Sequence, residues 1–105
     1  MNNSEILQNI LRDIQSTRQQ LMSTSSQIRE FEVTLDALKG QDEDKKVYRQ
    51  IGALLFEIDD LESMNTQLSS SIDTLKEHLK LLEKQDNELK NKYDEVVLKI
   101  EKSES

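Results

Sequence analysis

The chain has 105 residues, 33% charged and 34% hydrophobic, with a net charge of −7 at pH 7 and a pI near 4.7. So little apolar material in a chain of at most one domain excludes a thick globular core, so the apolar residues must serve narrow seams or contacts with other subunits. The dispersed acidic charge argues against binding nucleic acid, no apolar run approaches the ~20 residues that cross a bilayer, the N-terminus lacks a signal-peptide pattern, and the absence of Cys excludes disulfides and thiolate metal sites.

These features predict a soluble, cytoplasmic protein. Residues 4–39 predict a first long helix. Leu7, Ile14, Leu21, Ile28 and Leu35 recur every seven residues, and Ile10, Thr17, Thr24, Phe31 and Leu38 follow three residues behind them. That spacing is the a/d seam of a coiled coil. Thr17, Thr24 and the run Ser23–Ser26 make its middle the softest stretch, because these residues form helix poorly. Ser4 is the expected N-cap, and Gly40 stands where a C′ glycine ends a helix.

Residues 41–46 form a charged connector without an apolar side chain. Residues 47–58 are different, being the densest apolar run in the chain. Val47, Tyr48, Ile51, Phe56 and Ile58 favour strands, and Gly52-Ala53 has the Gly-X form of a two-residue type II′ turn. A β-hairpin follows; with that two-residue turn Ile51 faces Leu54, Arg49 faces Phe56 and Val47 faces Ile58, whereas a three-residue loop would flip part of the assignment. Val47, Ile51, Leu54, Phe56 and Ile58 then share one face, and Tyr48, Gln50, Leu55 and Glu57 the other. Such a ribbon is marginal alone, and its open edges and apolar face both call for partners.

Residues 60–102 predict a second long helix. Leu61, Leu68, Leu75, Leu82, Leu89 and Val96 form one ladder, and Asn65, Ile72, Leu79, Asp86, Tyr93 and Ile100 the other. Asp59 and Glu62 have capping-box spacing. The hairpin between the helices reverses the chain, so the expected fold is mainly α: two long helices in an antiparallel coiled coil within one chain, joined by one β-hairpin. At ~1.5 Å per residue the arms reach roughly 50–65 Å. Equal arms set Leu38 near Leu61 and Leu7 near Leu89–Tyr93, with both termini at the far tip.

No catalytic constellation is visible. The lone histidine, His78, falls on a polar flank; phosphate-binding and dinucleotide loops are missing; and the acidic pairs Asp42/Asp44 and Asp59/Asp60 read as loop solvation and capping rather than cation ligands. The expectation is a protein that is not an enzyme and uses no metal and no cofactor. Near the N-terminus, Ile6, Leu7, Ile10 and Leu11 exceed what a two-helix seam uses, and Val96, Val97, Leu98 and Ile100 do the same near the C-terminus. These eight residues form a candidate apolar binding tip. A structural or adaptor coiled coil, with its central segment as a docking site, is the rival reading.

The motif Val47-Tyr48-x-x-Ile51-Gly52-x-Leu54-Leu55-x-Glu57, set between two heptad-patterned helices, resembles a beta-type prefoldin subunit. One hairpin's worth of sequence, not two, points to the beta type over the alpha type. Phe56 departs from the smaller aliphatic residue usual there. The resemblance implies a hexameric chaperone of two alpha-type and four beta-type subunits, whose hairpins assemble into an inter-subunit β-barrel. Val47, Tyr48, Ile51, Gly52, Leu54, Leu55, Phe56 and Ile58 would make that contact. It further implies that the coiled-coil tips hold non-native proteins (actin or tubulin in a eukaryote), that a group II chaperonin receives them, and that no nucleotide is used.

Overall fold

A computed structural model describes residues 1–42 and 44–104; Glu43 of the charged connector lies outside them. Four elements follow in chain order: helix α1 (Asn3–Lys39), strands β1 (Tyr48–Ile51) and β2 (Leu54–Glu57), and helix α2 (Leu61–Glu104). The helices pack on each other, the strands pair antiparallel, and the molecule is a rod of 74 × 25 × 16 Å. Its length matches that of the 44-residue α2 at ~1.5 Å per residue plus the hairpin.

The two heptad ladders become the contact between the helices. Every seam residue named from the spacing is buried or half-buried, while the intervening Glu, Lys, Gln and Ser residues are mostly exposed. Ile10, Ile14, Ile28, Ile72, Leu82, Leu89 and Val96 make up the buried apolar core. Thr17 and Thr24, the expected soft layers, are buried as well, at 2% and 7% exposure. This stretch is therefore well covered by the partner helix although its helix propensity is low.

Three local expectations are corrected. The N-cap of α1 is Asn2, not Ser4: the Glu5 backbone N–H donates to Asn2 Oδ1 at 2.8 Å, and Asn2 Nδ2 donates back to Glu5 Oε1 at 3.3 Å. At the start of α2 the cap is Asp60, not Asp59, with Oδ1 accepting from the Ser63 backbone N–H at 3.0 Å. Gly40 does end α1, but with φ −84° it is right-handed, so its role there needs no left-handed backbone.

The pairing of the arms also differs from the equal-arm expectation. Arg18 bonds Asp86 at 3.3 Å, and Lys76 reaches Glu32 at 3.7 Å. Carried along both helices, these pairs set Leu38 level with Leu68 and Leu7 level with the region of Ile100. That is about one heptad from the expected match. The first turns of α2 therefore run past the end of α1.

Candidate assembly and binding surfaces

The hairpin occupies the bend of the rod. Its register is Tyr48↔Glu57, Arg49↔Phe56, Gln50↔Leu55 and Ile51↔Leu54, as the two-residue turn predicts. The Ile58 backbone N–H extends the ladder to the Val47 carbonyl at 2.8 Å. Gly52 turns the chain with φ +60° and is the one described residue with positive φ, so Ala53 keeps an ordinary backbone, as type II′ requires. Lys46 Nζ lies 3.8 Å from Glu57 Oε1 beside the strands.

What the hairpin does not do is bury itself. Tyr48, Ile51, Leu54, Leu55 and Phe56 are 48–66% exposed. Only Val47 and Ile58, at its root, are half-buried. Apolar residues stand on both faces of this two-stranded ribbon, and both its edges are unpaired. Such a surface is a candidate contact surface.

The other concentration of apolar residues lies at the far end. Ile10, Ile14, Leu89 and Val96 form one buried cluster, against which Ile6, Leu7, Tyr93 and Ile100 pack. Of the eight tip residues named from the sequence, Ile6, Leu7, Ile10, Val96 and Ile100 belong to this cluster, and Leu11, Val97 and Leu98 do not. Ile10 and Val96 are buried, and Ile6, Leu7, Val97 and Ile100 are half-buried. Leu11 and Leu98 stay exposed at 42% and 54%. Just inside the tip, Asp86 sits in the seam with only 13% of its side chain exposed. Arg18 and Lys90 hold its two oxygens at 3.3 and 3.7 Å, so the one acidic charge in the seam is neutralised from both helices.

Sequence reasoning missed a third feature. A cleft of about 500 Å³ opens where the hairpin meets the coiled coil, between Arg49 and Ile58 on one side and Phe31, Met64 and Leu68 on the other. No motif announces it, because it depends on how the ribbon tilts against the helices. His78 is exposed on α2, as expected. Among the described residues no three His, Cys, Asp or Glu side chains gather as metal ligands, and no helix is long and apolar enough to cross a membrane.

Two long helices paired antiparallel, with an uncovered β-ribbon at the bend, define an intrachain coiled-coil protein. The model of the family described as "Prefoldin subunit" matches residues 1–103. Prefoldin subunit beta of Thermoplasma acidophilum is 31% identical over 102 residues, covering 90% of this chain and 82% of that protein. Its counterpart in Thermoplasma volcanium is 30% identical with the same coverage. The crystal structure of the prefoldin beta subunit from Thermococcus strain KS-1 superposes with a TM-score of 0.83, at 24% identity, covering 96% of this chain and 88% of that one; this likeness speaks for the fold. The chain belongs to the prefoldin subunit family, as a beta-type subunit.

Proposed function

We propose that this chain works in a cytoplasmic hexamer of two alpha-type and four beta-type prefoldin subunits, holds non-native proteins at its coiled-coil tip, and passes them to a group II chaperonin without using nucleotide. The observation that carries the reading is the exposure of Tyr48, Ile51, Leu54, Leu55 and Phe56 on a ribbon with open edges. Each large apolar side chain buried between subunits contributes roughly 1.5–3 kcal/mol. Pairing of the edges with neighbouring hairpins into a closed β-barrel satisfies the backbone groups that the single chain leaves open.

The tip supports the second half of the reading. Leu11, Leu98 and the half-exposed Ile6 and Val97 present apolar surface at the end farthest from the hairpin. Contacts of this kind are weak and indifferent to client sequence. Several tips around one cavity raise them to useful avidity. Acidic flanks keep the tips from binding one another.

Mixing the chain with an alpha-type subunit and weighing the product tests the assembly. A particle with two-to-four stoichiometry is expected, and Ile51→Asp with Phe56→Asp should abolish it; a lone parallel dimer, or a full-size particle from the double variant in size-exclusion chromatography, overturns the reading. Serine at Ile6, Leu7, Val97 and Leu98 should leave the hexamer intact and weaken its suppression of client aggregation. Undiminished suppression by that variant hexamer would show that clients bind elsewhere.

A further inference from the structure

We propose that the contact surface between subunits continues past the hairpin into the cleft at the base of the coiled coil, which receives an apolar side chain from a neighbouring prefoldin subunit's hairpin. This rests on the hairpin-mediated assembly proposed above and adds a second surface to it.

The seam closes unevenly. At the tip, Ile10, Ile14, Leu89 and Val96 are buried by the two helices alone. Toward the hairpin Ile72 is buried, but Phe31, Leu35, Leu38, Leu61 and Leu68 around it are half-buried, as Leu7, Tyr93 and Ile100 are at the tip. For Leu61 the heptad register explains this, since the first two turns of α2 run past the end of α1. Met64, flanking this end of the seam, adds a further half-buried apolar side chain that a two-helix contact does not use.

The cleft of about 500 Å³ opens at this end, with Phe31, Met64, Leu68 and Ile58 among its walls and Arg49 beside them. Arg49 and Ile58 belong to the same hairpin face as Ile51, Leu54 and Phe56, because Arg49 pairs with Phe56 and Ile51 with Leu54. The face that carries Ile51, Leu54 and Phe56 therefore reaches the cleft through Ile58, with Arg49 beside it. A hairpin packed on Ile51 and Phe56 lies across the cleft mouth and has apolar side chains to place in it. A client segment would instead meet the tip, at the opposite end of a 74 Å rod.

Ser71 lies in the cleft wall with its side chain exposed, so Ser71→Trp fills the space without entering the seam. Met64→Glu puts a charge there. The full chain carrying either change is mixed with an alpha-type prefoldin subunit and followed by native mass spectrometry over a concentration series, with helicity and melting of the isolated chain measured alongside. Assembly of both variants should require at least tenfold higher concentration, with the melting of the isolated Ser71→Trp chain unchanged. If Met64→Glu disturbs the isolated chain, Ser71→Trp alone decides. Assembly of Ser71→Trp at unchanged concentration, while Phe56→Asp fails to assemble, overturns the cleft inference and leaves the hairpin reading standing. Assembly of Phe56→Asp as well overturns both. Normal assembly of Ser71→Trp with weaker client holding makes the cleft a client site and also overturns the inference.

Discussion

Asn65 stands in the seam four residues after Leu61, where a large apolar residue would ordinarily sit. Its Oδ1 is buried without a hydrogen-bond partner among the described residues. An acceptor left in that state costs about 1–3 kcal/mol. Asp86, the other strongly polar seam residue, is treated differently, since Arg18 and Lys90 both reach it. Both residues are conspicuous in the heptad ladder, but the ladder does not say which of them finds partners. That depends on the residues opposite, and so on the register of the arms. Asn65→Leu should therefore raise the melting temperature of the isolated chain, at about 4–8 °C for each kcal/mol recovered. Thermal unfolding followed by circular dichroism measures it. An unchanged or lower midpoint would mean that the amide already has a donor in solution.

The elements differ in how far the residue pattern determines them. The hairpin register was legible only on the condition of a two-residue Gly-X turn, since a three-residue loop would have flipped part of it; the observed Ile51↔Leu54 pair decides for the shorter turn. The helices were legible as a seam but not as a pairing. A heptad ladder slid by seven residues still faces a heptad ladder, so only particular pairs such as Arg18–Asp86 and Glu32–Lys76 distinguish one setting from the next. The caps failed for a similar reason: Asn2 competes with Ser4, and Asp60 with Asp59, among equivalent side chains within a residue or two. Gly52 is the position on which the hairpin depends. A Cβ there would meet no atom within 4 Å, so the penalty for Gly52→Ala comes from the φ of +60° alone. A left-handed backbone costs a non-glycine residue about 1–2 kcal/mol. In a two-stranded ribbon of marginal stability, that cost falls on the assembly-competent form. Gly52→Ala should lower affinity for an alpha-type partner about tenfold, a factor that corresponds to about 1.4 kcal/mol, while the melting of the isolated chain's coiled coil stays put. Titration calorimetry against the partner checks it; an unaltered affinity would mean that the turn tolerates alanine and is not what holds the ribbon in shape.

At the scale of the whole molecule the surface area is the telling quantity. The chain exposes 8390 Å². A compact monomer of its 12.2 kDa mass would expose only about 6,100 Å². Part of the excess belongs to the rod shape and part to exposed apolar side chains, of which Met22, Val33 and Leu81 stand singly along the helices while Tyr48, Ile51, Leu54, Leu55 and Phe56 stand together at the bend. The assembly proposed through this surface links stability to binding. A partner that binds the folded chain and not the unfolded one stabilises it by about 2.7 kcal/mol at a free concentration one hundred times Kd. The melting temperature of this chain should rise as an alpha-type subunit is titrated in, whereas Phe56→Asp should show no such rise. Hydrogen exchange should locate the gain. Amides of the strands and of the first turns of α2 should become protected, because partners cover them, while amides near Ile10 and Val96 should keep the exchange rates of the isolated chain, since those residues are already buried by the chain's own two helices. Protection appearing first at the tip would place the subunit contact at the wrong end of the rod, and a melting temperature indifferent to saturating partner would show that the exposed hairpin does not couple folding to assembly at all.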